Sequence, residues 1–134
     1  MLVRDRMSAH PVTIEPESSA LSALGIMQYH RLRHLPVTDA NGRLVGILAE
    51  RDLLLAASRY LHAGMEVSEV MSRDVFRVKP DTPIEEAALL MANHSIGSLP
   101  VVDDEGLIVG IITESDMFRA LAEIVSAGRT VEQR

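Results

Sequence analysis

The 134-residue chain contains no cysteine and no tryptophan. Without cysteine it has no disulfide, no thiolate metal site and no thiol nucleophile, and it suits the reducing cytoplasm that is its expected location. Only four aromatic side chains occur, Tyr29, Tyr60, Phe76 and Phe118, too few for a base-stacking platform of the single-strand-binding kind. Thirteen basic residues, of which only Lys79 is a lysine, stand against 19 acids, and the net charge is −6. That acidic balance argues against nucleic acid as a partner, since the one dense basic stretch is "HRLRH", residues 30–34. No apolar run approaches the ~20 residues of a membrane helix, and no charged leader precedes a short apolar stretch, so no membrane partner is expected. Also missing are G-x-G-x-x-G, G-x-x-x-x-G-K-[ST] and G-x-S-x-G, along with any sign of a buried general acid. The expectation is a chain that is not an enzyme and has no catalytic residues.

What is present is a duplication. Shifting the chain by 64 residues aligns Met7–Ala56 with Met71–Ala120 without a gap, and seventeen of the fifty positions are identical. The densest agreement sets "LPVTDANGRLVGI" against "LPVVDDEGLIVGI". A repeat at a fixed period has to be read before anything else. With 47% hydrophobic and 24% charged residues, the two copies have enough apolar material to share a core.

Each copy reads as β-α-β-β-α, so the fold class is α/β (α+β), taken twice. "PVTIEP" and "VFRVKP" read as short strands ending at a proline. In copy two Thr82 reads as an N-cap and Pro83 as the first helical residue, before "AALLMANH". In copy one the helix follows Leu21, Leu24 and Met27 at helical spacing and is expected to end near Arg31. The strands "HLPVTD" and "SLPVVD" stop at Asp- and Gly-containing turns. The next strands, "RLVGIL" and "LIVGII", read as buried on both faces. Second helices start near Glu50 and Glu114 and are expected to run to about Leu61 and Val125. The linker is "LHAGMEVS", around Gly64. The expected domains are residues 7–65 and 71–127. The seven methionines read as core, mostly on apolar helix faces.

The order strand, helix, "LPVxD…G…VGI", "GIITESD", helix resembles the cystathionine-β-synthase (CBS) domain, and two copies resemble a CBS pair or Bateman module. The resemblance covers about Val3 to Ala127. It implies two repeats packed about a pseudo-twofold axis with two clefts between them, many of which take adenosine-containing ligands. It also implies a homodimer and a regulatory role. Because the repeats use up the chain, the regulated activity is expected in a separate, unidentified protein.

The heptapeptides "GILAERD" (Gly46–Asp52) and "GIITESD" (Gly110–Asp116) carry the chemistry. An ionised Asp116 can accept bonds from a ribose diol, and the Thr113 hydroxyl lies where helix-start N–H groups favour phosphate. The same tetrapeptide is also close to a capping box that needs no ligand. Ala49 replaces the threonine in copy one, so the two clefts differ. What the resemblance implies, position by position, is a main cleft of Thr113, Asp116 and Ile111 with Pro11, Val12, Leu32 and Arg33. Arg33 would offer its guanidinium to phosphate. A second, weaker cleft would combine Asp52 and Ile47 with Val75, Phe76, Ile96, Gly97 and Ser98. No cofactor is required; AMP, ADP or ATP is the expected regulatory ligand. His30 and His34 flank a helix end, and no metal site is expected. The alternative is a ligand-free interaction module whose disc-like dimer is the functional unit.

Overall fold

The computed structural model describes residues 1–59 and 64–132. The elements are β1 (Ser8–Ala9), α1 (Ala20–His30), β2 (His34–Thr38), β3 (Leu44–Ala49), α2 (Glu50–Arg59), α3 (Ile84–His94), β4 (Ser98–Val102), β5 (Ile108–Thr113) and α4 (Glu114–Glu132). The Leu61 end expected for the second helix of copy one lies outside the described residues. In copy two, α4 continues past Val125 to Glu132.

Each copy builds an antiparallel hairpin, β2–β3 or β4–β5, around the same turn. Asp39 Oδ1 accepts from the N–H groups of Asn41 (2.9 Å) and Arg43 (3.0 Å), and Asp103 Oδ1 does the same for Glu105 and Leu107. Gly42 and Gly106 follow at φ +84° and +83°, a conformation that side chains resist. The hairpin tips meet across the pseudo-twofold. Leu44 N–H donates to Gly106 O (3.1 Å) and Ile108 N–H to Gly42 O (3.0 Å), so Arg43 faces its own repeat partner, Leu107.

The copies also exchange their first segments. β1 belongs to copy one but pairs with β5 of copy two, in the register Ser8↔Ile111 and Ala9↔Gly110. The counterpart Ser72 pairs with Ile47 of copy one. Upstream, Val3 and Met7 join the copy-two core of Val78, Ile84, Met91, Leu99 and Ile112. In the same way Met65, Val67 and Met71 complete the copy-one core around Met27, Leu35, Leu48 and Leu53. Matching backbone bonds seat both segments, Val3 N–H to Thr82 O (2.9 Å) and Val67 N–H to Ser18 O (2.8 Å) among them. An exposed Arg6–Glu123 ion pair adds a tie from the first segment to α4, of the surface kind that contributes little.

The glycine of each "VGI" makes room for this exchange. A Cβ on Gly46 would lie 2.7 Å from Met71 Sδ and 2.9 Å from Ser72 O; on Gly110 it would lie 2.6 Å from Met7 Sδ and 3.0 Å from Ser8 O. Met7 and Met71 are therefore core residues outside any helix, unlike Met27 and Met91.

Three expectations are corrected. The strands expected in "PVTIEP" and "VFRVKP" shrink to single parallel bridges, Ile14↔Val37 and Val78↔Val101. Prolines 16 and 80 have no N–H with which to extend them. Helix α3 starts at Ile84 with Pro83 as its N-cap, and Thr82 Oγ1 accepts from Lys79 N–H (3.0 Å) instead of capping the helix. β3 alternates buried and half-buried residues, so only one of its faces is fully closed. By contrast, α1 ends at His30 as expected, with Arg31 left-handed at φ 57°.

The glycine contact predicts two shifts of opposite sign. Gly46→Ala lowers stability by about 1–3 kcal/mol through overpacking. Gly25→Ala, whose new Cβ meets nothing within 4 Å on helix α1, raises it by about 0.5–1 kcal/mol. Urea unfolding measures both, and a Gly46→Ala variant as stable as the parent contradicts the tight approach.

Candidate functional site

Both heptapeptides sit where a hairpin strand runs directly into a helix, β3 into α2 and β5 into α4. At the second junction Thr113 and Asp116 close on one another. The Thr113 N–H (2.8 Å) and hydroxyl (3.1 Å) donate to Asp116 Oδ2, and Asp116 N–H donates back to Thr113 Oγ1 (3.4 Å). Arg119 Nη1 reaches Asp116 Oδ1 at 3.1 Å. The Asp116 side chain is 13% exposed and that of Arg119 68%, so the carboxylate is held and its cation is free to swing. This is the capping box the tetrapeptide allows. It also presents a fixed carboxylate whose two oxygens can accept more than the three bonds they receive, one from a backbone N–H and two from side chains.

The first junction has no such lock. Asp52 is exposed, Ala49 has no hydroxyl, and no hydrogen bond reaches the Asp52 carboxylate among the described residues. The two junctions thus differ in geometry as well as in sequence.

Most of the other candidate residues follow the exchanged segments or stand at the strand entries. β1 lies antiparallel against β5, with Ser8 opposite Ile111 and Ala9 opposite Gly110, and the chain then continues to Pro11 and Val12. Val12 and Leu32 both pack on the copy-one core. By the same symmetry Ser72 pairs with Ile47, and the chain then continues to Val75 and Phe76. Phe76 is 43% exposed and stacks on His94 at the end of α3, with centroids 4.0 Å apart and planes 27° from parallel. Ile96 packs on the copy-two core.

The residues before each "LP" strand are pinned to the following helix of their own copy. Glu50 N–H donates to Arg33 O (2.8 Å) and Glu114 N–H to Gly97 O (3.0 Å). Arg33 shares a cavity of about 570 Å³ with His34, Ala49, Glu50, Arg51, Leu54 and Leu55, at the start of α2. At Gly97 the Glu114 side chain occupies the space that a larger residue would need, with its Oε1 2.7 Å from the ideal Cβ position. Ser98 is 5% exposed, and its hydroxyl is the buried side-chain polar atom without a partner among the described residues.

His34 links the two helix starts electrostatically. Burial lowers its pKa, and so does the Arg33 charge, while Asp52 and Glu114 pull the other way. The net direction is downward, so the imidazole is neutral at neutral pH and Arg33 is the cation of that corner. A second cavity, of about 500 Å³, is lined by Thr13, Ser19, Ser22 and Thr38 among others, and none of the candidate cleft residues lines it. The described residues hold no cluster of three or more potential metal ligands, and none of their helices is long and apolar enough to cross a membrane.

Sequence reasoning missed the contribution of Glu114. The glutamate recurs as Glu50 and Glu114, but only the bare Cα of Gly97 lets its carboxylate fold onto the strand entry. A glycine aligned with Arg33 was the available signal.

Comparison with known proteins gives a consistent result. The sequence pattern of the CBS domain matches residues 3–59 and again 67–123. L-aspartate semialdehyde sulfurtransferase of Methanocaldococcus jannaschii is 35% identical over 118 residues; the match takes in 88% of this chain but only 23% of that enzyme. Among solved structures, a CBS domain pair in complex with 5′-methylthioadenosine and S-adenosyl-L-methionine superposes with a TM-score of 0.85 at 33% identity, covering 92% of this chain and 97% of the other. CBSX2 in complex with AMP gives 0.82 at 30% identity, with 92% and 97% covered; CBSX2 is a CBS-pair protein of Arabidopsis thaliana. With two matched repeats, packed about a pseudo-twofold and similar in structure to known pairs, this chain belongs to the CBS domain family as a CBS pair.

Proposed function

We propose that the chain is a regulatory module that binds an adenosine nucleotide, AMP, ADP or ATP, in the cleft of Thr113, Asp116, Ile111, Pro11, Val12, Leu32 and Arg33. The observation that carries this reading is the held Asp116 carboxylate beside the Thr113 hydroxyl at a helix start. The exchanged segments support it as well, because β1 of copy one lies on β5 of copy two beside Ile111, so a ligand lodged there touches both copies. Such a ligand changes the packing of the copies to the extent that it prefers one packing, and a separate protein in the cytoplasm reads that change. The reading assigns no catalytic step to the chain. The completed capping box favours a second reading, a ligand-free interaction module in which Thr113 and Asp116 only hold the helix.

Calorimetric titration and thermal unfolding with AMP, ADP and ATP separate the two. A ligand at a hundredfold excess over its dissociation constant stabilises by about 2.7 kcal/mol, a midpoint rise on the order of 10 °C. The Asp116→Ala variant loses this rise, and loss of the cap lowers its ligand-free stability by about 0.5–2 kcal/mol. If no adenosine nucleotide binds the parent protein, the capping role alone stands and the nucleotide reading fails.

The proposed unit is a homodimer joined through α2 and α4. In support, Leu54, Leu55, Phe118, Leu121 and Ile124 are each 49–64% exposed, a larger apolar face than a small monomer usually presents. Sedimentation then gives a dimer for the parent and a monomer for the Phe118→Glu/Leu121→Glu pair. A monomeric parent at micromolar concentration contradicts the assembly.

A further inference from the structure

The cavity of about 500 Å³ in copy one, lined by residues from the start of α1 and by the last residue of β2, shares no residue with the proposed clefts. Thr13, Ser18, Ser19, Ser22 and Thr38 bring hydroxyls to it, and Glu15 brings its single charge. None of these hydroxyls donates a hydrogen bond among the described residues, and the Ser19 oxygen accepts only a long one, 3.4 Å, from Ser22 N–H. Thr38 is 5% exposed, yet its hydroxyl has no hydrogen-bond partner among the described residues. Burying a hydroxyl without a partner costs stability. Glu15 makes no ion pair among those residues either.

The duplication shows that the fold does not need this set. At the matching positions copy two has Arg77 for Thr13, Pro83 for Ser19, Glu86 for Ser22 and Val102 for Thr38. Val102 is 4% exposed, so the same strand end closes equally well around a methyl group. Lys79 stands in the place of Glu15 and is paired with Asp104 at 2.7 Å. Thr82 alone keeps a hydroxyl, and its oxygen accepts from Lys79 N–H. The unpaired hydroxyls and the unpaired acid therefore belong to copy one and to no structural duty common to both copies. Their loop also seats the exchanged segment: Ser18 O accepts from Val67 N–H (2.8 Å), Pro16 O from Ser68 N–H (2.9 Å), and Ala20 N–H donates to Met65 O (2.8 Å).

We propose that this cavity is a binding site for a small uncharged polyol, a monosaccharide or cyclitol. Each protein hydroxyl can donate one hydrogen bond and accept two, which matches a ligand whose own hydroxyls do both. The Glu15 carboxylate accepts from a vicinal diol, and Ile14 and Ile26 offer apolar surface to the ring carbons. An anion finds no cationic side chain in the lining and one like charge, so the start of α1 does not serve phosphate here. The volume lies in the range of small-molecule sites. A polyol bound to Ser18 and Ser19 also braces the loop on which residues 65–68 are seated, which ties the site to the packing of the two copies. The assignment does not depend on nucleotide binding in the clefts.

The test titrates myo-inositol, D-glucose and D-mannitol into the full chain, with inorganic phosphate as the anionic control, and follows the backbone amide signals by NMR. Thr38→Val, which installs the copy-two residue, and Glu15→Gln are titrated alongside after their thermal transitions are recorded. The expected result is a saturable shift of the amides of residues 13–22 and 38 with one of the polyols, and no such shift with phosphate. Thr38→Val and Glu15→Gln each weaken that polyol about tenfold. Without ligand, Thr38→Val melts no lower than the parent, since it removes a buried hydroxyl that has no partner. The proposal is overturned if none of the polyols shifts these amides, if phosphate shifts them instead, or if Thr38→Val binds as the parent does. A Thr38→Val variant that melts well below the parent overturns it as well, because the hydroxyl then serves the fold.

Discussion

Two glycine–methionine contacts hold the rest of the structure in place. Gly46 and Gly110 are the positions at which the strand of one copy lets the other copy's first segment approach to within van der Waals distance, with Met71 and Met7 filling the space. With a side chain at either glycine, the segment could not lie against the strand. Each core would then lose residues it borrows, Met65, Val67 and Met71 on one side and Val3 and Met7 on the other. Neither repeat is therefore a self-contained unit, and the buried interior is shared through the exchange.

The proposed clefts rest on this arrangement. Because β1 is laid along β5, Ser8 and Ala9 end up beside Ile111 and Gly110, although the two segments are far apart in sequence. Symmetry repeats the geometry at Phe76 and Ile47, so that differences between the clefts come from side chains rather than from backbone. A threonine against an alanine, an arginine against a glycine and a phenylalanine against a valine are changes of polarity, charge and ring surface on nearly the same scaffold. Duplication supplies two junctions of the same backbone, and these substitutions set them apart chemically.

The repeat, the two hairpin turns and the helix end at Arg31 were legible because each rests on local chemistry. Asp39 and Asp103 bond to backbone N–H groups two and four residues ahead, and Gly42 and Gly106 take positive φ. Such signals survive without knowledge of the tertiary structure. The segment exchange was not legible, since nothing local distinguishes a strand that pairs within its copy from one that pairs across. The short 3₁₀ turns Val3–Asp5 and Val67–Glu69 were missed for the same reason, because their buried valines find a core only in the other half. The strands expected in "PVTIEP" and "VFRVKP" stop at one bridge each, because Pro16 and Pro80 bring no N–H with which to continue the ladder. Thr113 and Asp116 close on one another at the start of α4, whereas Arg33, expected with them, stands at the start of α2. Arg33 lies among Ala49, Glu50 and Arg51, and Glu114 folds onto Gly97, which spacing alone does not reveal.

The interlocked pair is the claim from which both clefts derive, and hydrogen exchange by mass spectrometry tests it most directly. If the exchange is real, amides of residues 1–9 open in step with those of copy two, residues 78–112, because they share one core and one sheet. Amides of residues 65–72 then open with residues 14–48. Should residues 1–9 instead exchange at the rate of a free terminus, or together with 14–48, the first segment does not belong to the other copy. The account of how the clefts are built would then be wrong.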